Sequence, residues 1–520
     1  MTRRRSAILA LLILASACTG SKPQARPTAP VSGGTLHVAV RDLSSLDPSK
    51  ASGRGATFVL AQVFRSLTSI DKDGVPVPAG ASKWMVAANG LQWDFTIAPA
   101  TFHNGKPVGA ADFKFAFDRI ALKITRSDVA YQLEAVKGFH EVKIAGTAKT
   151  LSGVIVIGPR RLRIVLTHPF AELARFLAHP ALAPVPAAAF KKNPATYAAQ
   201  PIGNGPFKVA SARMPASVTL ERYDGFGGTK AYLDKVQIDV RTDSEGVWRD
   251  LNGGKLDVGE IPVSRLSGAK RLGTQGFTPF WATTYYGLNL RLAKYAKPDV
   301  RRALALGIDR TKLATTIYGG TKDPATGILP TGIPGARTAP CDSCTFDQSK
   351  ARALLNGVFK GHAPNFTIDH LDASPSREVA QEVARQWEDI GLRVALRAHS
   401  SSDYLKLLQS GKQDVAELGW LSDVPSPDAF LAQQLRRGSP NNQTSFADAE
   451  FDRDIDTARR TADDSARVGA YGRAQERALS LMPLIPLVFF RSHLAVRQNV
   501  YGFALNGAGI FDASAVWLIP

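Results

Sequence analysis

The chain has 520 residues, 44% hydrophobic and 21% charged, with 64 Lys and Arg against 45 Asp and Glu for a formal charge of +19. The composition is ordinary for a globular chain, and the length exceeds what one hydrophobic core normally organises, so two or more lobes are expected. The basic residues are scattered, without a long basic run or a nucleic-acid reading motif, which argues against nucleic acid as a partner and leaves attraction to an anionic cell envelope as the milder meaning of the charge.

At the start, Arg3, Arg4 and Arg5 precede an apolar run over 7–15 that is too short to span a bilayer, and small residues then lead to Cys18. This reads as an export signal over 1–17. Ala15-Ser16-Ala17-Cys18 resembles a bacterial lipoprotein cleavage box, with Ala15 where that box more often has Leu; the resemblance implies lipidation at Cys18. Residues 18–33 are rich in Pro, Ser, Thr and Lys and suit a lipid-anchored tether. With Arg3, Arg4 and Arg5 removed the charge falls to +16.

From Gly34 onward helical and extended patterns interleave. Leu36, Val38 and Val40 alternate as in a half-buried strand, and Phe113, Phe117 and Ile120 share a face of a helix over 108–120, with Asp112 near its positive end. Val236, Ile238 and Val240 alternate again. In the second half Val379, Val383, Trp387 and Ile390 recur at helical spacing over 377–390, Gly391 stops the helix, and Leu392, Val394 and Leu396 begin a strand. This interleaving predicts an α/β protein. Residues 321–344, dense in Pro and Gly, read as a surface excursion. Within it Cys341 and Cys344 suit a small local disulfide in an exported protein better than a redox pair, because Thr345, Phe346 and Asp347 separate them from the next helix. Pro483 and Pro486 interrupt the apolar run over 479–490, marking a helix end and an extended crossing between lobes.

A series of short motifs then becomes specific. Gly34-Thr35-Leu36, Leu46-Asp47-Pro48, Val63-Phe64-Arg65-Ser66-Leu67 and Asp71-Lys72-Asp73-Gly74 open it. Trp84, Asn89-Gly90-Leu91-Gln92-Trp93-Asp94-Phe95 and Phe102-His103-Asn104-Gly105-Lys106-Pro107-Val108 lead into Ala111-Asp112-Phe113. Pro201-Ile202-Gly203-Asn204-Gly205-Pro206-Phe207, Leu251-Asn252-Gly253-Gly254-Lys255-Leu256-Asp257, Val300-Arg301-Arg302-Ala303 and Ile308-Asp309-Arg310 continue it. Gly419-Trp420-Leu421-Ser422-Asp423 and Pro483-Leu484-Ile485-Pro486-Leu487 close it. In this order they resemble the extracellular solute-binding family 5, the oligopeptide-, dipeptide- and nickel-binding lipoproteins of ABC importers.

The resemblance implies a two-lobed periplasmic-binding-protein clamp, class II and cluster C-like, with mixed sheets and a hinge. Lobe I would comprise 34–277 plus 487–520, with an inserted subdomain at about 55–165, and lobe II would comprise 278–486. Closure over a solute must draw its free energy from tighter binding in the closed state. The implied role is capture of peptides, oligopeptides above all, by a monomer anchored through its N-terminal lipid to the outer face of the cytoplasmic membrane, and delivery to ABC permease subunits. A regulatory or scaffold envelope lipoprotein and a binder of a non-peptide solute are the alternatives.

For the site, the resemblance places Asp423 where family members hold a peptide α-ammonium; a carboxylate suits a cation withdrawn from water. A loop-capping role before Pro425 and Pro427 is the plain alternative, and Asp428 is a second acidic candidate. Trp281, Tyr285 and Tyr286 fall on a strand that runs along the cleft in the family, and Trp420 is a further cleft wall; each could equally be core. Asn204, Gly205 and the Leu46-Asp47-Pro48 turn read as architecture. Dipeptide binders carry an Arg before the helix corresponding to 377–390, whereas here the sequence is Asp369-His370-Leu371-Asp372, which favours longer peptides or another solute. No cofactor, metal site or enzymatic activity is expected: nine His are dispersed, and no His-Glu-x-x-His, nucleophile elbow or phosphate loop occurs.

Overall fold

The structure is a computed structural model that describes residues 29–71, 74–269 and 276–519. The export signal, Cys18 and most of the tether lie outside the described residues.

Two six-stranded mixed sheets organise the two lobes of the clamp. The first runs Leu494–Val496, Val258–Glu260, Thr35–Val40, Lys235–Val240, Ser217–Arg222, Phe207–Arg213. The alternating strands read from sequence pair in parallel at its centre, Leu36 opposite Val236 and Val38 opposite Ile238, so their buried side chains stack on one face. The second sheet runs Lys322–Pro324, Leu484–Arg491, Pro279–Leu288, Val415–Leu421, Asn365–Leu371, Arg393–His399. A separate four-stranded antiparallel sheet, built from Ala81–Val86, Gln92–Ile97, Arg161–Val165 and Val154–Gly158, falls within the span expected for an inserted subdomain.

The helix expected over 108–120 spans Ala110–Ala121, and Asp112 accepts a hydrogen bond from the Gly109 amide at 2.9 Å, closing its first turn. The helix expected over 377–390 spans Ser376–Asp389. It buries Val379, Val383 and Trp387 and ends at Gly391, whose φ of 92° is the left-handed conformation that favours glycine. Cys341 and Cys344 are joined in a disulfide.

The chain leaves the first sheet before Pro279 and returns after Arg491. These two passages lie side by side: Gly276 bridges Leu494, and the Ser492 amide donates to the Thr278 carbonyl at 2.8 Å. The return therefore falls at Ser492 and His493, not at the Pro486 crossing expected from sequence. Leu484–Arg491 belongs wholly to the second sheet, and Pro486 is accommodated there because its pairing with Tyr285 falls at a register shift. Beyond the return, the C-terminal segment packs on the helix Arg54–Val63, where Gln62 bonds the Phe511 carbonyl and the Ala513 amide.

Candidate functional site

At the seam between the two sheets lie two adjoining cavities of about 230 and 270 Å³, both lined by Thr57, His179, Asp423, Ala508 and Ile510. The smaller adds Arg54, Tyr131 and Trp420; the larger adds Arg65, Ser66, Trp281 and Asp512. One wall is the helix Arg54–Val63 with the C-terminal segment. The other is the end of Val415–Leu421 and the start of Pro279–Leu288, which lie antiparallel with Trp420 opposite Thr283.

Asp423 follows the end of its strand and is held by its neighbours. Ser422 is buried, its amide donates to the Trp281 carbonyl at 2.9 Å, and its hydroxyl bonds the Val424 carbonyl at 2.7 Å. The Asp423 side chain keeps 25% of its surface exposed, and His179 Nε2 stands 3.2 Å from its Oδ2 without hydrogen-bond geometry. Asp423 is thus an accessible carboxylate in a partly desolvated cavity, the setting in which it can accept from a ligand cation. Tyr131 faces the same cavity, and burial together with the Asp423 charge pushes its hydroxyl well above the usual phenol range. Trp420 lines the cavity with a buried, unpartnered indole Nε1. Trp281, 8% exposed, lies against the backbone of Gly507.

The other expectations divide. Tyr285 and Tyr286 are core residues, 4% and 0% exposed, and line none of the seam cavities; Tyr286 packs on Trp387 with ring centres 6.2 Å apart. Their strand is buried on both faces, so alternation did not reveal which residues face the cleft. Asp428 is a structural anion: Arg459 donates to both its oxygens at 2.7 and 2.9 Å and Tyr471 donates to it at 2.9 Å. Asp47 is buried against Arg119 at 2.7 Å. Asn204 exchanges two hydrogen bonds with the Arg65 backbone, and a Cβ at Gly203 or Gly205 would strike the Val63 carbonyl, so this loop buttresses the end of the wall helix. Asp369 is fully buried, paired with Arg397 at 2.5 Å and His399 at 2.9 Å, so among the described residues that neighbourhood offers no free cation to a ligand. Sequence reasoning missed His179, Tyr131 and Arg54, none of which belongs to a recognisable motif.

Two lobes linked by paired passages, with a carboxylate and indoles at the seam, define a hinged solute-binding clamp. The chain belongs to the bacterial extracellular solute-binding proteins, family 5, whose middle-region model matches residues 75–442. It is 25% identical over 498 residues to the oligopeptide-binding protein OppA of Bacillus subtilis (strain 168), covering 91% of each chain. It is also 25% identical to the periplasmic oligopeptide-binding protein OppA of Salmonella typhimurium (strain LT2), covering 95% of this chain and 94% of that one. Among solved structures, the Escherichia coli murein tripeptide-binding protein MppA superposes with a TM-score of 0.77 at 22% identity, covering 95% of this chain and 99% of the other.

Among the described residues no helix is long and apolar enough to cross a membrane.

Proposed function

We propose that this protein is the extracytoplasmic, lipid-anchored binding component of an ABC importer, capturing peptides between its lobes and passing them to a permease without chemical conversion. The observation that carries the reading is Asp423: an accessible carboxylate at the seam, flanked by Trp281 and Trp420, where an ammonium group can exchange water for a charged acceptor. The curated relatives, described as oligopeptide-binding, support peptides as the solute class. The basic residues at the N-terminus and Cys18 support export and anchoring. The proposed lobe boundary is the paired passage at Gly276 and Leu494.

The test is native mass spectrometry of gently purified protein, followed by calorimetry with a mixed peptide library. Retained peptide cargo, and binding weakened by Asp423→Ala, are expected. A non-peptide cargo with no heat from any peptide would overturn the reading. Export and lipidation are checked by cell fractionation and by labelled-lipid incorporation in wild type and Cys18→Ser.

A further inference from the structure

Arg54 opens the helix Arg54–Val63 and lines the cavity that holds Asp423, as well as a smaller space of about 110 Å³ beside Thr35–Val40 and Val258–Glu260. Its guanidinium carbon stands 4.6 Å from the centre of the Phe280 ring. Gly509 closes over the same group: a Cβ there would lie 3.2 Å from Arg54 Nε and 2.4 Å from Phe280 Cε2. So clamped, the guanidinium makes no hydrogen bond or ion pair among the described residues, and its Nε is buried without a partner.

The neighbouring arginines are satisfied. Arg41 reaches Glu260 at 2.7 Å and Ser244 at 2.9 Å, while Arg65 bonds the Ala61 carbonyl at 2.8 Å and faces Asp512 at 3.4 Å. Glu260 is also committed to His493 at 3.1 Å, so it and Asp42 act on Arg54 only through space. Burial is the larger influence and holds the Arg54 pKa below its ordinary value. A half-buried cation without an acceptor, its Nε fully withdrawn from water, costs free energy, which an arriving anion would offset. The wall helix adds to this, having neither a side-chain cap nor an acid in its first turn.

We infer that Arg54 is the anion anchor of the cleft, holding the carboxylate of a ligand whose ammonium is held by Asp423. Both anchors line one cavity of about 230 Å³, and it adjoins a second of about 270 Å³. Sites for drug-sized ligands occupy about 300–1,000 Å³, so the fitting class is a short zwitterion, a peptide of two or three residues with both ends free. This rests on the peptide reading and sharpens it: the anion contact missing from 369–372 is supplied from the opposite wall.

The experiment compares mixtures of dipeptides and tripeptides as free acids and as C-terminal amides, titrated calorimetrically into wild type, Arg54→Gln and Arg54→Lys. Wild type is expected to prefer the acids by roughly 10- to 100-fold. Arg54→Gln should bind acids and amides alike, and Arg54→Lys should restore part of the preference. Ligand-free Arg54→Gln should melt no lower than wild type, because it loses an unpaired, half-buried cation; should it fail to fold, the acid-to-amide ratio of wild type and Arg54→Lys decides. Equal affinity of wild type for acids and amides overturns the Arg54 assignment and leaves the peptide reading standing. No binding of either form overturns the Arg54 assignment and the short-peptide class, while the peptide reading itself falls only if longer peptides also give no heat.

Discussion

His179 brings Nε2 to 3.2 Å from Oδ2 of Asp423, while its Nδ1 accepts the Ala181 amide hydrogen at 3.1 Å. With Nδ1 an acceptor, the ring proton of the neutral tautomer sits on Nε2. The imidazole therefore stands beside Asp423 without a hydrogen bond to it and leaves the carboxylate oxygens open to a ligand. Contacts between the Arg54–Val63 helix and the 180–182 turn fix the ring on the first wall, and Ser422 fixes the carboxylate on the second.

Replacing Asp423 should be the most damaging single change to binding. Asp423→Ala is expected to weaken peptide binding by roughly 2–5 kcal/mol, the range for removing one partner of a desolvated charged contact. The melting temperature of the free protein should change little, since Asp423 is only partly buried and makes no ion pair with Arg or Lys among the described residues. Calorimetry and thermal unfolding on the same preparation separate the two effects.

Gly507 carries a steric prediction. The Trp281 amide donates to its carbonyl at 2.6 Å, and a Cβ at Gly507 would lie 2.1 Å from Trp281 Nε1. Gly507→Ala must displace the indole or the C-terminal segment, at a cost of about 1–3 kcal/mol. A changed tryptophan emission with weakened peptide binding is expected; an unaltered spectrum and affinity would show that the wall yields freely.

His103 gives stability a pH dependence. Its Nδ1 accepts the Gly203 amide at 3.2 Å and its Nε2 faces the Gly205 carbonyl at 3.1 Å, and burial pulls its pKa down to about 4. The unfolded chain binds a proton near pH 6.5 while the folded one does not, so stability should fall as pH drops from about 6.5 to about 4, by up to about 3 kcal/mol. Chemical denaturation across that window should show the slope, and His103→Gln should flatten it.

Asp428 predicts loss of fold without direct loss of a ligand contact. It offsets the burial of Arg459 and holds that guanidinium above its ordinary pKa, and Tyr471 joins the pair to Glu172, which also accepts from Ser426 at 2.7 Å. Asp428→Ala should cost about 3–5 kcal/mol by stranding Arg459, and adding Arg459→Met should recover much of it. Denaturant midpoints of the single and double variants test this.

The sequence was legible where local rules apply. Strand alternation at Leu36, Val38 and Val40, the helix ending at Gly391 and the motif series reaching Asp423 all depend on neighbours a few residues apart. The three-dimensional arrangement decided the rest. Tyr286 became core and Trp281 cavity wall on one strand because burial on both faces erases the alternation that would tell them apart. The return passage moved from Pro486 to Ser492 because a register shift let the second sheet retain the proline. His179, Arg54 and Asp423 come from three distant segments, and only the packing of one lobe against the other sets which charge finds a partner and which is left facing the seam.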